Sequence, residues 1–334
     1  MVHVEPSLMR LLAYKVQGRG RPAFFWLVGS VYFLLAGVSC AWSQTHSNYT
    51  IGQVFDVGTK QLIALEALKP KLLEAEVIYL GEEHHTPSHI DTALKVLDML
   101  LSAGRKPALA MEMFRWDGQP ALDRFGTDQI TSEAQLLQEA AWEKNWGGDF
   151  KDYQPLVAFS KQHHIPVYAL TPPRALVRLV VSKGLNEALG DPSMTQWGIP
   201  AHISLDDPEY RRVIFQQITA CHPKLPDDAY QRYYEASIFK DEGMAKVIKD
   251  YLGGKSAAEG PLVSYTGSGH IQFQIPVPSR VKRNQPPGFK DLSIYLIALD
   301  PSRTDEIAQA IDEGIADYVW LTELGPKGPQ PRCG

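Results

Sequence analysis

The sequence predicts an α/β fold with a mostly parallel central sheet flanked by helices, and with helical insertions forming a cap over the carboxyl ends of the strands. Short apolar runs recur along the chain and alternate with helical patterns. The runs are continuously apolar, which is typical of strands buried on both faces of a sheet. Strands that alternate with helices favour a parallel arrangement.

Six apolar runs are the predicted strands: residues 77–80, 108–111, 167–170, 262–265, 293–298 and 318–321. Three segments between them carry apolar side chains at helical spacing, namely residues 87–103, 151–164 and 174–189. Residues 115–150 and 190–258 show helical patterns without an intervening strand, so we assign them to the cap. No repeat or low-complexity linker interrupts residues 52–322. We therefore predict one domain over residues 44–334 with this core.

The first 43 residues are predicted to be a targeting segment rather than part of the fold. Basic side chains lie between Arg10 and Arg21, the apolar run Ala23–Val38 follows, and Ala41 and Ser43 supply small side chains. This order is typical of a secretory signal peptide. The alternative is an uncleaved N-terminal anchor, although a span needs about 20 apolar residues. Either interpretation predicts an exported protein, periplasmic or membrane-associated.

The cysteine content and the net charge limit the kinds of protein to which this chain could belong. The cysteines are Cys40, Cys221 and Cys333, without a CxxC pair. Lipidation of Cys40 is a third interpretation of the N-terminus and would make the protein a lipoprotein. If Cys40 leaves with a signal, Cys221 and Cys333 could pair in an oxidising compartment. The formal net charge of −5 argues against nucleic-acid binding.

The pattern Gly-x-x-His follows two predicted strands. Residues 81–84 contain Glu82 and His84, and residues 267–270 end at His270. Ligands of open α/β sheets bind outside the carboxyl ends of the strands, which is where these loops are predicted to lie. Glu112 and Arg174 follow two further strands. If these strands are parallel, all five side chains meet at one edge of the sheet. A buried Glu112 would need a partner, either Arg174 or a histidine.

An ordered set of motifs resembles the ChaN-like haem-binding uptake family (domain of unknown function 399) of the Tiki/TraB/erythromycin-esterase superfamily. The motifs are Gly81-Glu82-x-His84-x-x-Pro87-x-His89, Glu112-Met113-Phe114, Tyr153-x-Pro155-Leu156, Ala169–Val180, Asp241-Glu242-x-Met244-Ala245 and Gly267-x-Gly269-His270. The resemblance implies an α/β core with added helices, an envelope location and a role in haem or iron uptake.

The resemblance also implies how haem would be held. In the family, haem lies between two protomers with a tyrosine on the iron, so we expect a homodimer that works with envelope or outer-membrane uptake components. The c-type attachment signature is absent from the sequence, so the haem would be noncovalent. The candidate axial tyrosines are Tyr153, Tyr233 and Tyr234. The other expected haem contacts are Glu82, His84, His89, Arg174 and His270.

A second interpretation is a metal-dependent hydrolase of peptidase or esterase type. Catalysis would then fall to Glu82, His84, Glu112 and His270. His84, His270 and Glu112 would hold a divalent metal with an open position for water. A Gly-x-Ser-x-Gly nucleophile motif is absent from the sequence. A third interpretation, a scaffold with a vestigial site, predicts affinity for neither haem nor metal.

Overall fold

A mixed sheet of eight strands organises the part of the chain that the structure describes. The computed structural model describes residues 49–254, 260–326 and Gly328. The strands are β1 (Val54–Asp56), β2 (Gln61–Ile63), β3 (Val77–Glu82), β4 (Ala108–Arg115), β5 (Val167–Thr171), β6 (Leu262–Gly267), β7 (Asp291–Ala298) and β8 (Tyr318–Thr322). Their order across the sheet is β2-β1-β8-β7-β3-β6-β4-β5. All six predicted strands and the α/β class are confirmed.

The strands that carry the predicted site are parallel neighbours. β3 pairs with β6 and β7, and β4 pairs with β6 and β5, all in parallel. In this register Glu82 lies opposite Gly267. β1 and β2 form the antiparallel edge, with β1 paired to β8. The sequence does not predict these two strands, because each has three residues and β2 is largely exposed.

Helices cover the sheet and the ends of its strands. They are α1 (Leu65–Glu74), α2 (Pro87–Ser102), α3 (Gln119–Gly126), α4 (Glu133–Glu139), α5 (Trp142–Asn145), α6 (Gln154–Gln162), α7 (Arg174–Lys183), α8 (Leu185–Leu189), α9 (Pro192–Gln196), α10 (Pro208–Cys221), α11 (Asp227–Gly254), α12 (Val277–Lys282) and α13 (Thr304–Asp312). As predicted, α2 begins at Pro87, whose missing N–H needs no partner in a first turn. The helix predicted over 174–189 instead breaks at Gly184, where φ is +84°.

The long helix α11 belongs to the segment predicted to cap the sheet. It packs with α7 and α10 through an apolar cluster that includes Leu176, Ile214, Tyr234 and Phe239. Burial of such side chains stabilises the cap by about 25 cal/mol per Å² of apolar surface. This cluster holds the three helices beyond the carboxyl ends of the strands.

A side chain hydrogen-bonds the outer backbone groups of the edge strand β5. The Ala169 N–H donates to Oε1 of Gln119 at 2.6 Å, and Nε2 of Gln119 donates to the Val167 carbonyl at 2.9 Å. The Gln119 amide thus occupies the positions that another strand would take. An edge satisfied in this way is protected from pairing with other chains.

Some of the predictions about the N-terminal segment and the cysteines concern residues that the structure does not describe. The predicted targeting segment 1–43, Cys40 and Cys333 all belong to the undescribed part of the chain. A pairing of Cys221 with Cys333 therefore stays a prediction. Among the residues that the structure describes, no helix has both the length and the apolar character needed to cross a membrane.

Candidate functional site

A cavity of about 360 Å³ lies where β3, β4 and β6 end, beneath the helices of the cap. Its floor contains the polar side chains that follow the strands. Its walls include Val177 and Val181 from α7, Ile214 and Ile218 from α10, and Ala236 from α11. Volumes of about 300–1,000 Å³ are usual for ligand pockets, so this one is at the small end.

Two glycines allow the Gly-x-x-His loops to approach each other. A Cβ on Gly81 would lie 2.6 Å from Cδ1 of Ile271, and a Cβ on Gly267 would lie 2.8 Å from Nε2 of His84. Real Cβ atoms do not sit so close to other heavy atoms, and the interior has no spare volume to absorb the clash. A side chain at either position would force Ile271 or His84 to move, so glycine suits the close approach of the loops.

Glu82 is fixed by three donors at the floor of the cavity. The residue is 1% exposed. It accepts hydrogen bonds from the Tyr265 hydroxyl at 2.6 Å, the Tyr153 hydroxyl at 3.0 Å and Nδ1 of His84 at 2.7 Å. Burial, with the charge of Glu82, raises the pKa of both tyrosine hydroxyls, so they remain neutral donors.

His84 is held by one ring nitrogen and turns the other towards the cavity. Its Nδ1 is bonded to Glu82, and its Nε2 is the atom that a side chain at Gly267 would strike. The ring also packs edge-on against Trp146, with centroids 5.0 Å apart. Burial works to lower the pKa of His84, but the hydrogen bond to Glu82 and the charges of Glu82 and Glu112 outweigh it and raise the pKa.

His270 lies between two carboxylates. Its Nε2 is 3.2 Å from Oε1 of Glu112, and its Nδ1 is 2.5 Å from Oδ1 of Asp241. Burial opposes protonation, but the charges of Glu112 and Asp241 raise the pKa of His270 to about 9. Burial alone would raise the pKa of Glu112, yet His270 and then His84 hold it well below its usual range. His270 is therefore an imidazolium that donates both N–H groups.

The expected partner of Glu112 is thus a histidine and not Arg174. Arg174 is exposed and donates to the carbonyl of Lys144. The arginine that lines the cavity is Arg115, at the end of β4, with Nη1 donating to the Pro172 carbonyl at 2.8 Å. The sequence does not single out Arg115, because it is the last residue of a strand whose other residues are buried.

The structure places His89 away from the cavity. The residue is fully buried in α2, and its Nδ1 accepts the backbone N–H of Glu83 at 3.0 Å. Burial lowers the pKa of His89 to about 3, so the ring is neutral. A ligand in the cavity would not contact it, although the sequence suggests it as a haem contact.

The three candidate axial tyrosines differ in how far they are exposed to the cavity. Tyr153 is buried beneath the floor of the cavity on Glu82. Tyr234 is buried in the cap, where its hydroxyl donates to the Leu205 carbonyl at 3.3 Å. Tyr233 is 39% exposed and lines the cavity, with its ring centroid 5.3 Å from that of His222.

Tyr233 belongs to a row of α11 side chains that face the cavity. Ser237 and Lys240 follow it at four and three residues and also line the cavity. Residues with this spacing share one face of a helix. The sequence motif at Asp241 lies on α11 and indicates that this helix contributes to the site. Ser237 and Lys240 are identified as part of the site only by their helical spacing from Tyr233.

The residues suggested for a metal do not form a ligand cluster. Each ring nitrogen of His270 contacts a carboxylate, Nε2 that of Glu112 and Nδ1 that of Asp241. Within residues 49–254 and 260–326, no three His, Cys, Asp or Glu side chains come together in an arrangement that could hold a metal ion. The side chains at the floor of the cavity are arranged as acid–base groups beneath apolar walls.

Known proteins share this fold and its sequence pattern. The profile of the family described as "Haem-binding uptake, Tiki superfamily, ChaN" matches residues 68–281. The solved structure of cofacial haem binding to ChaN of Campylobacter jejuni is 20% identical, has a TM-score of 0.62, and aligns over 80% of this chain and 95% of that one. At this identity the similarity shows the fold alone.

Two further similarities extend the comparison. The erythromycin esterase EreC aligns over 74% of this chain and 76% of its own, at 11% identity and a TM-score of 0.41, which is too remote to support an argument. Protein RETICULATA-RELATED 5, chloroplastic, of Arabidopsis thaliana is 22% identical over 271 residues, which are 77% of this chain. The chain spans only 35% of that curated relative.

The family profile covers well over half of the chain, and its range includes the floor of the cavity from Glu82 to His270. The structural match to ChaN independently supports the arrangement of strands and helices. This chain belongs to the ChaN-like haem-binding uptake family of the Tiki superfamily.

Proposed function

We propose that this chain is an envelope protein that binds haem noncovalently at the mouth of the cavity and takes part in haem or iron uptake. The observation that carries the proposal is the position of Tyr233. Its side chain is 39% exposed and lines the cavity, whereas the other two candidate tyrosines are buried and hydrogen-bonded. A tyrosine oxygen is an established axial ligand of haem iron.

The surroundings of Tyr233 fit a porphyrin. Val181 is 38% exposed, and it lines the cavity together with the more buried Val177 and Ile218. Apolar walls with a few placed polar groups are what a cofactor site requires. His222 beside Tyr233 offers a second polar group at the iron side of the crevice.

Cations for the propionates lie near the cavity on β4, α7 and α11. Arg115 lines the cavity, and the positive charges of Arg174 and Arg178 are close enough to lower its pKa, after the larger effect of burial. Lys240 lines the cavity from α11. Carboxylates pair well with arginine and lysine side chains. The propionates would therefore point towards these four cations.

The size of the cavity supports a haem shared by two protomers. A cavity of about 360 Å³ is small for a macrocycle, so one protomer would enclose only part of it. Tyr233 and Val181 are among the few exposed large apolar side chains in the described residues. A second protomer would cover the remaining apolar face, which agrees with the homodimer expected from the family.

The envelope location rests on the N-terminal sequence. The basic stretch, the apolar run Ala23–Val38 and the following small residues are those of an export signal or anchor. Envelope or outer-membrane uptake components are then the partners from which the protein would receive haem. Fractionation of cells that express the full chain tests this location, and recovery in the cytoplasm would contradict it.

Haem titration followed by absorbance tests the binding site. We expect saturable binding by the purified protein, with about tenfold or greater loss of affinity on Tyr233→Phe. Tyr234→Phe is the matched control, because it removes the neighbouring hydroxyl without touching the cavity. Tyr153→Phe, below the floor, should also retain binding. Weak, non-saturating binding shared by all variants would contradict the proposal.

One observation favours hydrolysis as a second candidate function. Glu82 holds Nδ1 of His84 and leaves Nε2 at the cavity, as a carboxylate does when it orients a general base. Such a base could activate water without a metal. Hydrolysis of p-nitrophenyl acetate that His84→Ala abolishes would support this candidate. Activity equal in wild type and His84→Ala would exclude it.

A further inference from the structure

A second concave surface lies along the edge strand β5 and is lined by none of the haem-site residues. Two adjoining cavities of about 690 and 640 Å³ share Gln119, Asp123 and Tyr168 in their linings. The shared residues place the two cavities side by side along β5, and together they are called the groove here. Its volume is greater than that of the haem cavity, and nothing in the proposed haem chemistry uses it.

Aromatic rings line the first half of the groove. The ring centroids of Trp116 and Trp197 lie 6.0 Å apart, and those of Tyr168 and Tyr251 lie 5.6 Å apart. Trp116 is anchored by its Nε1, which donates to a carbonyl of β5 at 3.0 Å. Trp197 and Tyr168 are partly exposed, so their rings are accessible to a ligand. The negative face of an aromatic ring attracts polarised C–H groups.

Positively and negatively charged side chains line the groove together with these aromatic rings. Nζ of Lys246 lies 2.5 Å from Oδ2 of Asp250, and Asp123 accepts from the Gln119 amide at 2.8 Å. In the second half of the groove, Lys161 and His164 line the wall. Each carboxylate has remaining lone pairs for hydroxyl donors, and the cations can bond hydroxyl oxygens.

The edge strand excludes one class of ligand. An extended peptide would bind a sheet edge through backbone hydrogen bonds. Here Gln119 already occupies the Ala169 N–H and the Val167 carbonyl, so β5 cannot accept such a strand. Nucleic acid is disfavoured by Asp123 and Asp250 in the wall and by the net charge of −5.

We propose that this groove binds a neutral oligosaccharide of at least two sugar units. The C–H face of one sugar ring stacks on Trp197, and that of another stacks on Tyr168. The sugar hydroxyls donate to Asp123 and Asp250 and accept from Lys246. The chain continues past Tyr168 into the second half of the groove. This combination of aromatic faces with carboxylate and amine groups matches the two chemistries of a sugar, apolar C–H surface and many hydroxyls.

Titration calorimetry with tetra-N-acetylchitotetraose and with cellotetraose, on the full-length protein, tests the proposal. We expect saturable binding of at least one of them, weakened about tenfold or more by Trp197→Ala and by Tyr168→Ala, because each removes a stacking face. Trp197→Phe should recover part of the affinity. Tyr233→Phe, in the haem cavity, should leave sugar binding unchanged.

Two results would overturn the proposal. One is the absence of saturable binding of both probes at millimolar concentration by a protein that still binds haem. The other is sugar binding that neither Trp197→Ala nor Tyr168→Ala weakens while both variants keep the wild-type haem titration. Because haem binding reports separately on folding and on the first site, failure of the sugar site is distinguishable from failure of the haem proposal.

Discussion

Nδ1 of His270 lies 2.5 Å from Oδ1 of Asp241, which joins the loop after β6 to the helix that carries Tyr233. The Tyr210 hydroxyl donates to the other oxygen of Asp241 at 2.5 Å, so α10 is tied to the same point. Two of the three helices that line the cavity, α10 and α11, are thus connected to its floor through the Asp241 carboxylate.

Removing His270 should destabilise the protein strongly. His270→Gln removes the cation that contacts both Glu112 and Asp241, and breaking a buried ion pair costs about 3–5 kcal/mol. Urea unfolding followed by circular dichroism measures this loss. His202→Gln, which changes an exposed histidine, is the control and should be neutral. An equal free energy of unfolding for the two variants would contradict the role of the Asp241–His270–Glu112 contact.

The same contact predicts a pH dependence of stability. The pKa of His270 is raised from 6.5 to about 9, so the folded protein holds a proton that the unfolded chain releases at lower pH. Its contribution is complete below pH 6.5 and is lost as the pH rises through about 9. The loss is on the order of 3 kcal/mol. Thermal unfolding from pH 6 to pH 10 should show this slope in wild type and not in His270→Gln.

The pKa of His84 should depend on Glu82. In wild type the hydrogen bond and charge of Glu82 overcome the effect of burial, so the pKa lies above 6.5. Glu82→Gln removes the charge, and burial should then bring the pKa below that of wild type. Histidine NMR titration measures it, with Glu133→Gln as an exposed control. A pKa of His84 that is the same in wild type and Glu82→Gln would show that Glu82 does not orient the ring.

Gly267→Ala should displace His84. The new Cβ would lie 2.8 Å from Nε2 of the ring, and overpacking of this kind costs about 1–3 kcal/mol. Gly253→Ala is the matched control, because a Cβ there meets nothing within 4 Å. Thermal unfolding should separate the two variants. If Gly267→Ala is as stable as the control, the floor of the cavity is looser than the structure shows.

Propionate recognition can be separated from iron ligation by using two forms of haem. Arg178→Gln should weaken haem binding by up to about fivefold, since an exposed charge pair contributes at most about 1 kcal/mol. The variant should bind haem dimethyl ester as wild type does, because this ester has no carboxylates. Lys183→Gln, on the same helix but paired with Asp191, is the control. Equal weakening for both ligands would place the propionates elsewhere.

Much of the sheet is predictable from the sequence, because buried parallel strands are continuous apolar runs. The convergence of Glu82, His84, Glu112 and His270 follows from the same pattern, since residues after parallel strands share one edge. β1 and β2 are not predictable in this way, because they are too short and exposed to leave an apolar signal.

The finer arrangement of the site depends on contacts distant in sequence. That Glu112 pairs with His270 rather than with Arg174 is decided by the register of β4 and β6 and by the path of the loop after β5. The different burial of Tyr233 and Tyr234 depends on which face of α11 packs against α10. Tyr233 and Tyr234 are neighbours of the same residue type, so the sequence does not indicate which of them is buried.

Electron paramagnetic resonance of the ferric haem complex tests the central claim most directly. We predict a high-spin ferric signal with tyrosinate character in wild type, unchanged in Tyr234→Phe and lost or replaced in Tyr233→Phe. The same signal in all three proteins would contradict the account, because it would mean that Tyr233 does not bind the iron.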